Sequence, residues 1–377
     1  MKRKGKRIFA AALAAALLLT GGCSVKGTEL SRRLIVEAIG LDLTAQGVRV
    51  TLEALDAHTA GGGEKTEGGD ETKLLRFEGA TVGQALSQIA PQTGLSPLLS
   101  QARVLVLGRA LAETDLTDAL DVFLRQYNVR SDILLCMAEG EAETVVTAGF
   151  GKGVPGARVL EEAIQEGQSA GVCVAAALYE FINRSRTKTD AAYCPVIAVR
   201  DDAYGEAKTP VFSGTAVFSG GRLAFTADER LTQGMLFLMN KIKNAALTVN
   251  GAAGAYTLQT VSSKTRIVPE KTENGKVHFY IGIRTVCDIA EFTPAAPGAQ
   301  SSAADAQTAG KAYIEALAAQ SLQTLFFERH ADICRFARRI NLRYPALREQ
   351  YIRTMFEETE VHVQAALTVR RTGKEEP

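Results

Sequence analysis

Histidine and acidic side chains are the first candidates for chemistry in this sequence, but their spacing predicts no catalytic or metal-binding set. The four histidines, His58, His278, His330 and His362, are isolated from one another, and none belongs to an H-E-x-x-H pattern. Asp42 follows an apolar stretch and a glycine, which is typical of a turn, and no second acid lies at a helical spacing that would make an acid–base pair. We therefore predict no catalytic residues, no metal ligands and no cofactor.

Serine and glycine motifs give no stronger signal. Ser213-Gly214 and Ser219-Gly220 are typical of turns, and the G-x-S-x-G motif of many hydrolases is absent from the sequence. The glycine-rich run over 149–153 lacks the strand-to-helix setting of a dinucleotide site, and Pro155 follows it. Because active sites assemble in space, missing motifs do not disprove catalysis, but they favour a binding protein over an enzyme.

The clearest predicted chemistry belongs to Cys23, at the end of an N-terminal export signal. Five basic residues lie among the first seven, an apolar run follows from Ile8 to Leu19, and Thr20-Gly21-Gly22 come directly before the cysteine. A basic start, a short apolar segment and small residues before a cleavage site are typical of a secretory signal. The apolar run is shorter than the about 20 residues that a spanning helix needs.

A cysteine placed directly after such small residues is similar to the lipobox of bacterial lipoproteins, although Thr20 stands where that motif usually has leucine. In a lipobox the thiol takes a diacylglycerol, and cleavage then makes the cysteine the new N-terminus. We therefore predict that residues 1–22 are removed and that Cys23 carries the lipid that holds the protein to a membrane. The alternative is an ordinary signal peptide with a cysteine at this place by chance.

Composition limits the partners and the redox chemistry of the mature chain. Removing residues 1–22 takes away five basic and no acidic residues, so the formal charge changes from +1 to −4. A mildly acidic body argues against nucleic acid as a partner. The other cysteines form no C-x-x-C pair and are odd in number, so we expect free buried thiols at Cys136, Cys173, Cys194, Cys287 and Cys334.

Arginines are concentrated near the C-terminus, around two predicted helices. The only nearby acids are Glu328, Asp332 and Glu349. We interpret the cluster as a solvated helix face whose aliphatic stems cover apolar surface. The alternative is contact with anionic lipid head groups or an acidic partner surface. The cluster comprises Arg329, Arg335, Arg338, Arg339, Arg343, Arg348 and Arg353.

Periodicity predicts an α+β protein of two to three consecutive mixed domains with mainly antiparallel sheets. A buried strand over 34–42 and an alternating strand over 48–55 predict a hairpin, and residues 58–72 predict a mobile glycine-rich loop. A second hairpin is predicted over 212–225, and a third is predicted to turn at Asn274-Gly275. Apolar runs predict buried strands over 103–108 and 133–137. Helices are predicted from Thr81 through Ala90, ended by Pro91, and over 172–183.

Shifts in composition predict the domain organisation. The stretch 201–210 is polar, contains glycine and proline, and is the best candidate for a boundary. The predicted order is a signal peptide over 1–22, a lipidated tether over 23–33, an N-terminal α+β region over 34–200, a linker over 201–210 and a C-terminal α+β domain over 211–373.

Several stretches, taken in order, resemble the Ger(x)C family, the lipoprotein C subunits of bacterial spore germinant receptors. Each motif is short, and the likeness depends on their order along nearly the whole mature chain. The matching stretches are the signal ending in Cys23, the segment from Glu29 to Asp42, the region from Leu116 to Met137, Gly214–Phe218 with Arg222-Leu223, Leu231–Leu238, Tyr344-Pro345 and Val369–Gly373.

The resemblance implies a non-enzymatic subunit built from several α+β domains in a row. It also implies a location on the outer face of the inner spore membrane, beside membrane-spanning A-type and B-type receptor subunits. In the family only the lipidated cysteine has a defined role, and that role falls on Cys23. No cofactor is implied.

Two other functions remain open from the sequence. A substrate-binding lipoprotein that delivers a small solute to a transporter would have two lobes that close on a pocket. An exported hydrolase is the third candidate, although the sequence lacks its nucleophile motifs.

Overall fold

The computed structural model describes residues 32–55, 72–150, 154–187, 189–205, 207–272 and 276–371. The predicted signal peptide, Cys23, most of the predicted tether, most of the glycine-rich loop and the Asn274-Gly275 turn lie outside these residues. Within them, helices pack against two mixed sheets, so the predicted α+β fold class is confirmed.

The described strands are β1 (Arg33–Thr44), β2 (Gly47–Leu55), β3 (Thr72–Gly79), β4 (Ser96–Leu98), β5 (Val104–Leu107), β6 (Leu134–Ala138), β7 (Ala176–Ala177), β8 (Ala192–Asp201), β9 (Lys208–Ser219), β10 (Arg222–Ala227), β11 (Ala246–Asn250), β12 (Gly254–Lys271), β13 (Val277–Pro294) and β14 (Glu360–Arg371).

The described α-helices are α1 (Val82–Ser87), α2 (Ile89–Thr93), α3 (Arg109–Ala112), α4 (Thr117–Arg125), α5 (Ala142–Val146), α6 (Gly156–Ala170), α7 (Leu178–Ser185), α8 (Glu229–Leu238), α9 (Ala303–Leu322), α10 (Phe336–Arg343) and α11 (Arg348–Glu358). A π-helical segment, Gln323–Glu328, continues α9.

The larger sheet has ten strands in the order β10-β9-β8-β6-β5-β1-β2-β3, with β4 beside β1 and β7 beside β6. Both edges are antiparallel, and the predicted β1–β2 and β9–β10 hairpins are confirmed. The centre differs from the mainly antiparallel expectation, because β1, β5, β6 and β8 run parallel. The chain passes through helices between β5 and β6 and again between β6 and β8, which parallel neighbours require.

The sequences of the central strands do not alternate between apolar and polar residues because these strands are buried. All four residues of β5 are buried, and so are the last four of β6. A parallel strand that helices cover on both faces reads as a continuous apolar run. The predicted buried strands at these two places are therefore confirmed, although the sequence did not specify their direction.

The smaller sheet has four strands in the order β11-β12-β13-β14. Long strands β12 and β13 pair antiparallel, whereas β14 returns through α9, α10 and α11 to pair parallel with β13. In the first half of β13 buried and exposed residues alternate strictly, so one face packs inward and the other meets solvent.

The N-terminal and C-terminal regions share one core. A continuous cluster of buried side chains extends from Leu34 in β1 to Leu367 in β14. Within the predicted linker over 201–210, Asp201 ends β8 and Lys208 begins β9, and these two strands pair in one sheet. The larger sheet therefore continues across this segment, and the exact domain limits stay a prediction.

Two buried carboxylates hold helix N-termini against the sheet. Asp42 accepts hydrogen bonds from the backbone N–H groups of Ala142 (2.7 Å) and Glu143 (2.9 Å) at the start of α5. Glu53 accepts from those of Gly156 and Ala157, both at 2.7 Å, at the start of α6. Burial raises the pKa of each carboxyl, and these N–H donors oppose the rise.

Two predicted helices were wrong in their bounds. A helix was expected to end at Pro91, but α2 contains this proline and ends before Gly94, which adopts the left-handed conformation. Proline is tolerated there because N–H groups of a first turn have no helical partner. A helix was also expected over 172–183, but α7 begins only at Leu178, after the short strand β7.

Candidate interaction surface

The structure assigns packing roles to most residues that were first considered for chemistry. Asp42 caps α5, and Ser213 and Ser219 lie in β9. Cys23 and His58 lie outside the described residues. The five cysteines of the body are buried and free, as predicted, and burial raises the pKa of their thiols.

The histidines are not all isolated, contrary to the prediction. His278 on β13 and His362 on β14 lie side by side, with 3.4 Å between Nδ1 of the first and Nε2 of the second. The sequence could not reveal this pair, because it depends on the parallel pairing of strands that are distant along the chain. His330 stands apart, with its ring stacked on Phe356 at a centroid distance of 4.6 Å.

Part of the arginine cluster points inward and has a structural role. The guanidinium of Arg335 donates to the Asp190 carboxylate at 2.9 Å, although Asp190 belongs to the N-terminal region. Arg339 donates to the backbone carbonyl groups of Cys334 (3.1 Å) and Ile267 (3.5 Å). Partial burial of the guanidinium lowers the pKa of Arg339.

The rest of the cluster is exposed, which agrees with the predicted solvated helix face. Arg338 and Arg343 lie on α10, and Arg348 and Arg353 lie on α11. Among the described residues, Arg338 and Arg353 have no ion-pair partner within 4 Å. An exposed guanidinium of this kind is available to a carboxylate or phosphate of another molecule.

A groove of about 870 Å³ lies between α7 with the loop after it and the two helices α10 and α11. Its walls carry arginines from both regions, namely Arg186, Arg335, Arg338 and Arg348. Acidic side chains also line it, and Asp190 is already paired with Arg335. The groove is therefore polar and mixed in charge, and Arg338 is its unpaired cation among the described residues.

Buried polar contacts hold the two walls of the groove together. Arg184 of α7 is buried, and its guanidinium donates to the carbonyl groups of Ala191 (3.2 Å) and Ile333 (3.3 Å). The N–H of Ala191 donates to the carbonyl of Asp332 at 3.2 Å. Together with the Arg335–Asp190 ion pair, these contacts join α7 to the segment before α10; we name this set the interlock.

The interlock is supported by a second polar cluster beneath α7. The Glu180 carboxylate accepts from the Tyr193 hydroxyl at 2.6 Å and from Lys241 at 3.3 Å, while Arg184 lies over the Tyr193 ring at 4.7 Å. The Lys241 charge, together with these hydrogen bonds, offsets burial and lowers the pKa of Glu180, so its charged form is favoured. These contacts hold α7, one wall of the groove, against Tyr193 and Lys241.

The groove lies at the end of the larger sheet where β1 begins. In the pairing register, Ala38 of β1 lies beside Val104 of β5, which lies beside Leu134 of β6. β1 begins before Ala38, at the same end of the sheet where β5 and β6 begin. The first turn of α7 is at the same end, because the N–H of Tyr179 donates to the carbonyl of Ser131 at 3.0 Å. β1 therefore begins at the groove end of the larger sheet.

Comparison with known proteins identifies the family. A family model described as "Spore germination protein N-terminal domain" matches residues 26–199, and a model described as "Spore germination B3/GerAC like, C-terminal" matches residues 213–373. The two matches follow each other in order and cover nearly all of the described body. This chain belongs to the Ger(x)C family of spore germination proteins.

A solved structure supports the fold of this Ger(x)C protein. The crystal structure of the GerBC protein aligns with a TM-score of 0.53 and 17% sequence identity, covering 88% of this chain and 96% of that chain. At this identity the likeness shows a common fold alone. The comparison with curated proteins gives no match.

Family membership assigns this chain to the C subunits of germinant receptors. The family of these subunits is not an enzyme family. Within the residues that the structure describes, no helix combines the length and the apolar character that a membrane crossing requires. The groove and its exposed arginines are the candidate interaction surface of the described body.

The Asp332 carboxyl, in the segment that the interlock joins to α7, makes the stability of the folded protein depend on pH. Its carboxyl is fully buried, Oδ1 has no hydrogen-bond partner within the described residues, and burial raises its pKa to about 7. Between about pH 4 and 7 the folded protein keeps this proton while the unfolded chain loses it. The contribution of this carboxyl to the free energy of unfolding is therefore greatest at low pH. It is lost as pH rises to 7, by up to roughly 4 kcal/mol.

We predict that Asp332→Asn removes this dependence. The difference in unfolding free energy between the original protein and the variant should fall by a few kcal/mol as pH rises from 4 to 7. Urea unfolding at several pH values measures it, with the exposed Asp118→Asn as the control. A difference that stays constant with pH would contradict the assignment.

Proposed function

We propose that this protein is a lipid-anchored C subunit of a spore germinant receptor. Cys23 carries the lipid, and the body lies on the outer face of the inner spore membrane. There it contacts the membrane-spanning A-type and B-type subunits and takes part in nutrient-triggered germination without catalysing a reaction. The observation that carries the proposal is the export signal ending in Cys23, directly before a body that the two family models cover.

The short tether limits how far the body can lie from the membrane. Ten peptide units separate Cys23 from Arg33, the first residue of β1. Even fully extended, they span at most about 35 Å, roughly the thickness of the bilayer's hydrocarbon core. Because β1 begins at the end of the sheet where the groove lies, the tether joins the body on the groove side, within reach of the membrane-embedded partners.

Charge at the groove fits a protein partner with acidic side chains. Arg338 and Arg348 are exposed on adjacent helices, and both line the groove. Arginine binds carboxylates through two parallel hydrogen bonds, which fixes orientation as well as attraction. The groove also contains Tyr179, an exposed aromatic of the kind enriched at protein interfaces. We propose that a membrane-spanning receptor subunit occupies this groove.

The shared core argues against the substrate-binding alternative. A binding protein that closes on its solute needs two lobes joined by a hinge. Here a single cluster of buried side chains runs through both regions, and the interlock joins the walls of the groove directly. Closure would have to break these buried contacts. Calorimetry of the protein against a panel of nutrients tests this alternative. Tight direct binding of a nutrient would favour it.

The lipid on Cys23 is tested by the mass of the mature protein. We expect the protein purified from membranes to begin at Cys23 and to carry acyl chains, and a Cys23→Ala variant to lack them. Intact mass spectrometry measures both features. The neighbouring Ser24→Ala variant should keep the lipid. A mature chain that begins elsewhere, or that has no acyl chains, would refute the anchor.

The partner contact is tested by reversing charge in the groove. We expect Arg338→Glu combined with Arg348→Glu to weaken association with the membrane-spanning subunits by about tenfold or more, since like charges facing each other at an interface cost several kcal/mol. Nutrient-triggered germination should slow in parallel. Co-purification from detergent-solubilised spore membranes measures the association.

A matched control lies at the other end of the larger sheet. Arg109 is exposed and follows the C-terminal end of β5, away from the groove. Arg109→Glu changes the charge by the same amount as Arg338→Glu alone, the variant with which it is compared, and should leave association and germination unchanged. Equal loss in both variants would show a general charge effect and would contradict a contact at the groove.

A further inference from the structure

Three side chains with metal-ligand chemistry meet on the exposed face of the smaller sheet. His278 lies on β13, and Glu360 and His362 lie on β14. Parallel pairing sets His278 directly beside Glu360, and His362, two residues further along β14, projects from the same face. One potential ligand atom from each of the three side chains lies within 4.8 Å of the others.

The separations suit a single ion placed among these atoms. Nδ1 of His278 lies 3.4 Å from Nε2 of His362 and 3.5 Å from Oε2 of Glu360. Donor atoms that each lie about 2.0–2.1 Å from a tetrahedral zinc ion are about 3.4 Å apart. By contrast, 3.4 Å is long for a hydrogen bond between nitrogen atoms, because N–H donors usually approach to about 2.9–3.0 Å.

We propose that His278, Glu360 and His362 form a surface site for one divalent transition-metal ion, with Zn²⁺ as the best fit. Two imidazole nitrogens and one carboxylate oxygen are a donor set that zinc accepts, with solvent in the remaining position. Imidazole also suits Cu²⁺, Ni²⁺ and Co²⁺. Mg²⁺ and Ca²⁺ prefer sites made of oxygen atoms and are not expected to bind here.

The surroundings hold the ligands in place before an ion arrives. The ring of Tyr280, which pairs with His362 in the register, stacks on the His362 imidazole with 4.9 Å between centroids and 22° between planes. The two imidazole rings are tilted by 34° at a centroid distance of 5.6 Å. Both strands belong to a ladder that is regular from His278 to Cys287, so little backbone ordering is needed on binding.

An ion at this site would join two strands that are far apart in the chain. Between the end of β13 at Pro294 and the start of β14 at Glu360, the chain passes through α9, α10 and α11. β14 is also the last strand at its edge of the smaller sheet. Because the site exists only when β14 is paired, the ion binds the folded protein and raises its melting temperature.

Binding is measured by isothermal titration calorimetry of the full-length protein in detergent, purified without a polyhistidine tag, at pH 7.5 in a buffer that does not chelate metals. We expect one Zn²⁺ per chain and a Co²⁺ derivative with visible ligand-field bands. Mg²⁺ should not compete. Zn²⁺ should raise the melting temperature of the original protein.

Substitutions assign the ligands. His278→Ala, His362→Ala and Glu360→Gln should each weaken Zn²⁺ binding by at least about tenfold, since loss of even an outer-shell partner costs that much. Each should also abolish the rise in melting temperature. The matched controls are His330→Asn, at a left-handed position that asparagine tolerates, and Glu291→Gln, on an exposed carboxylate of β13. Both controls should bind like the original protein.

Two results would overturn the proposal. One is the absence of saturable binding at this stoichiometry in the original protein. The other is binding that persists unchanged in His278→Ala and His362→Ala, which would place the ion elsewhere. If the variants fail to fold, circular dichroism of the ion-free proteins reveals it, and Glu360→Gln, whose side chain is exposed, then carries the test.

Discussion

The contact between Arg184 and the segment before α10 is the constraint on which the interaction surface depends. A buried guanidinium must satisfy its donors inside the protein, and Arg184 does so with carbonyl groups from both regions of the chain. If one region moved away, Arg184 would lose the Ile333 carbonyl as an acceptor, and a buried donor left unsatisfied typically costs about 1–3 kcal/mol. The two walls of the groove are therefore positioned together, and the groove has one defined shape.

This constraint joins the two regions of the protein into one body rather than two lobes that close on each other. The larger sheet continues from the N-terminal region into β9 and β10, and the core continues into the smaller sheet. A body built in this way can transmit force or position between neighbours without closing on a small molecule. That property suits the proposed role, in which the protein acts by contact with other receptor subunits.

Local features of the sequence predicted much of the fold. The β1–β2 and β9–β10 hairpins were predictable because alternation and glycine turns act over a few residues. The parallel β13–β14 pairing was not, because helices separate its strands and no local pattern specifies which strand becomes the neighbour. The same reason hid the His278–His362 pair and the Arg335–Asp190 ion pair. The arginine cluster was visible in the sequence, but only the structure separates inward Arg339 from exposed Arg338.

Site-specific crosslinking in spore membranes tests the central claim most directly. A photoreactive amino acid that replaces Arg338, in the groove, should give a covalent product with a membrane-spanning receptor subunit, as identified by mass spectrometry. The same amino acid in place of Arg109, at the opposite end of the larger sheet, should give no such product. Crosslinks to that subunit from position 109 with none from position 338 would contradict the account.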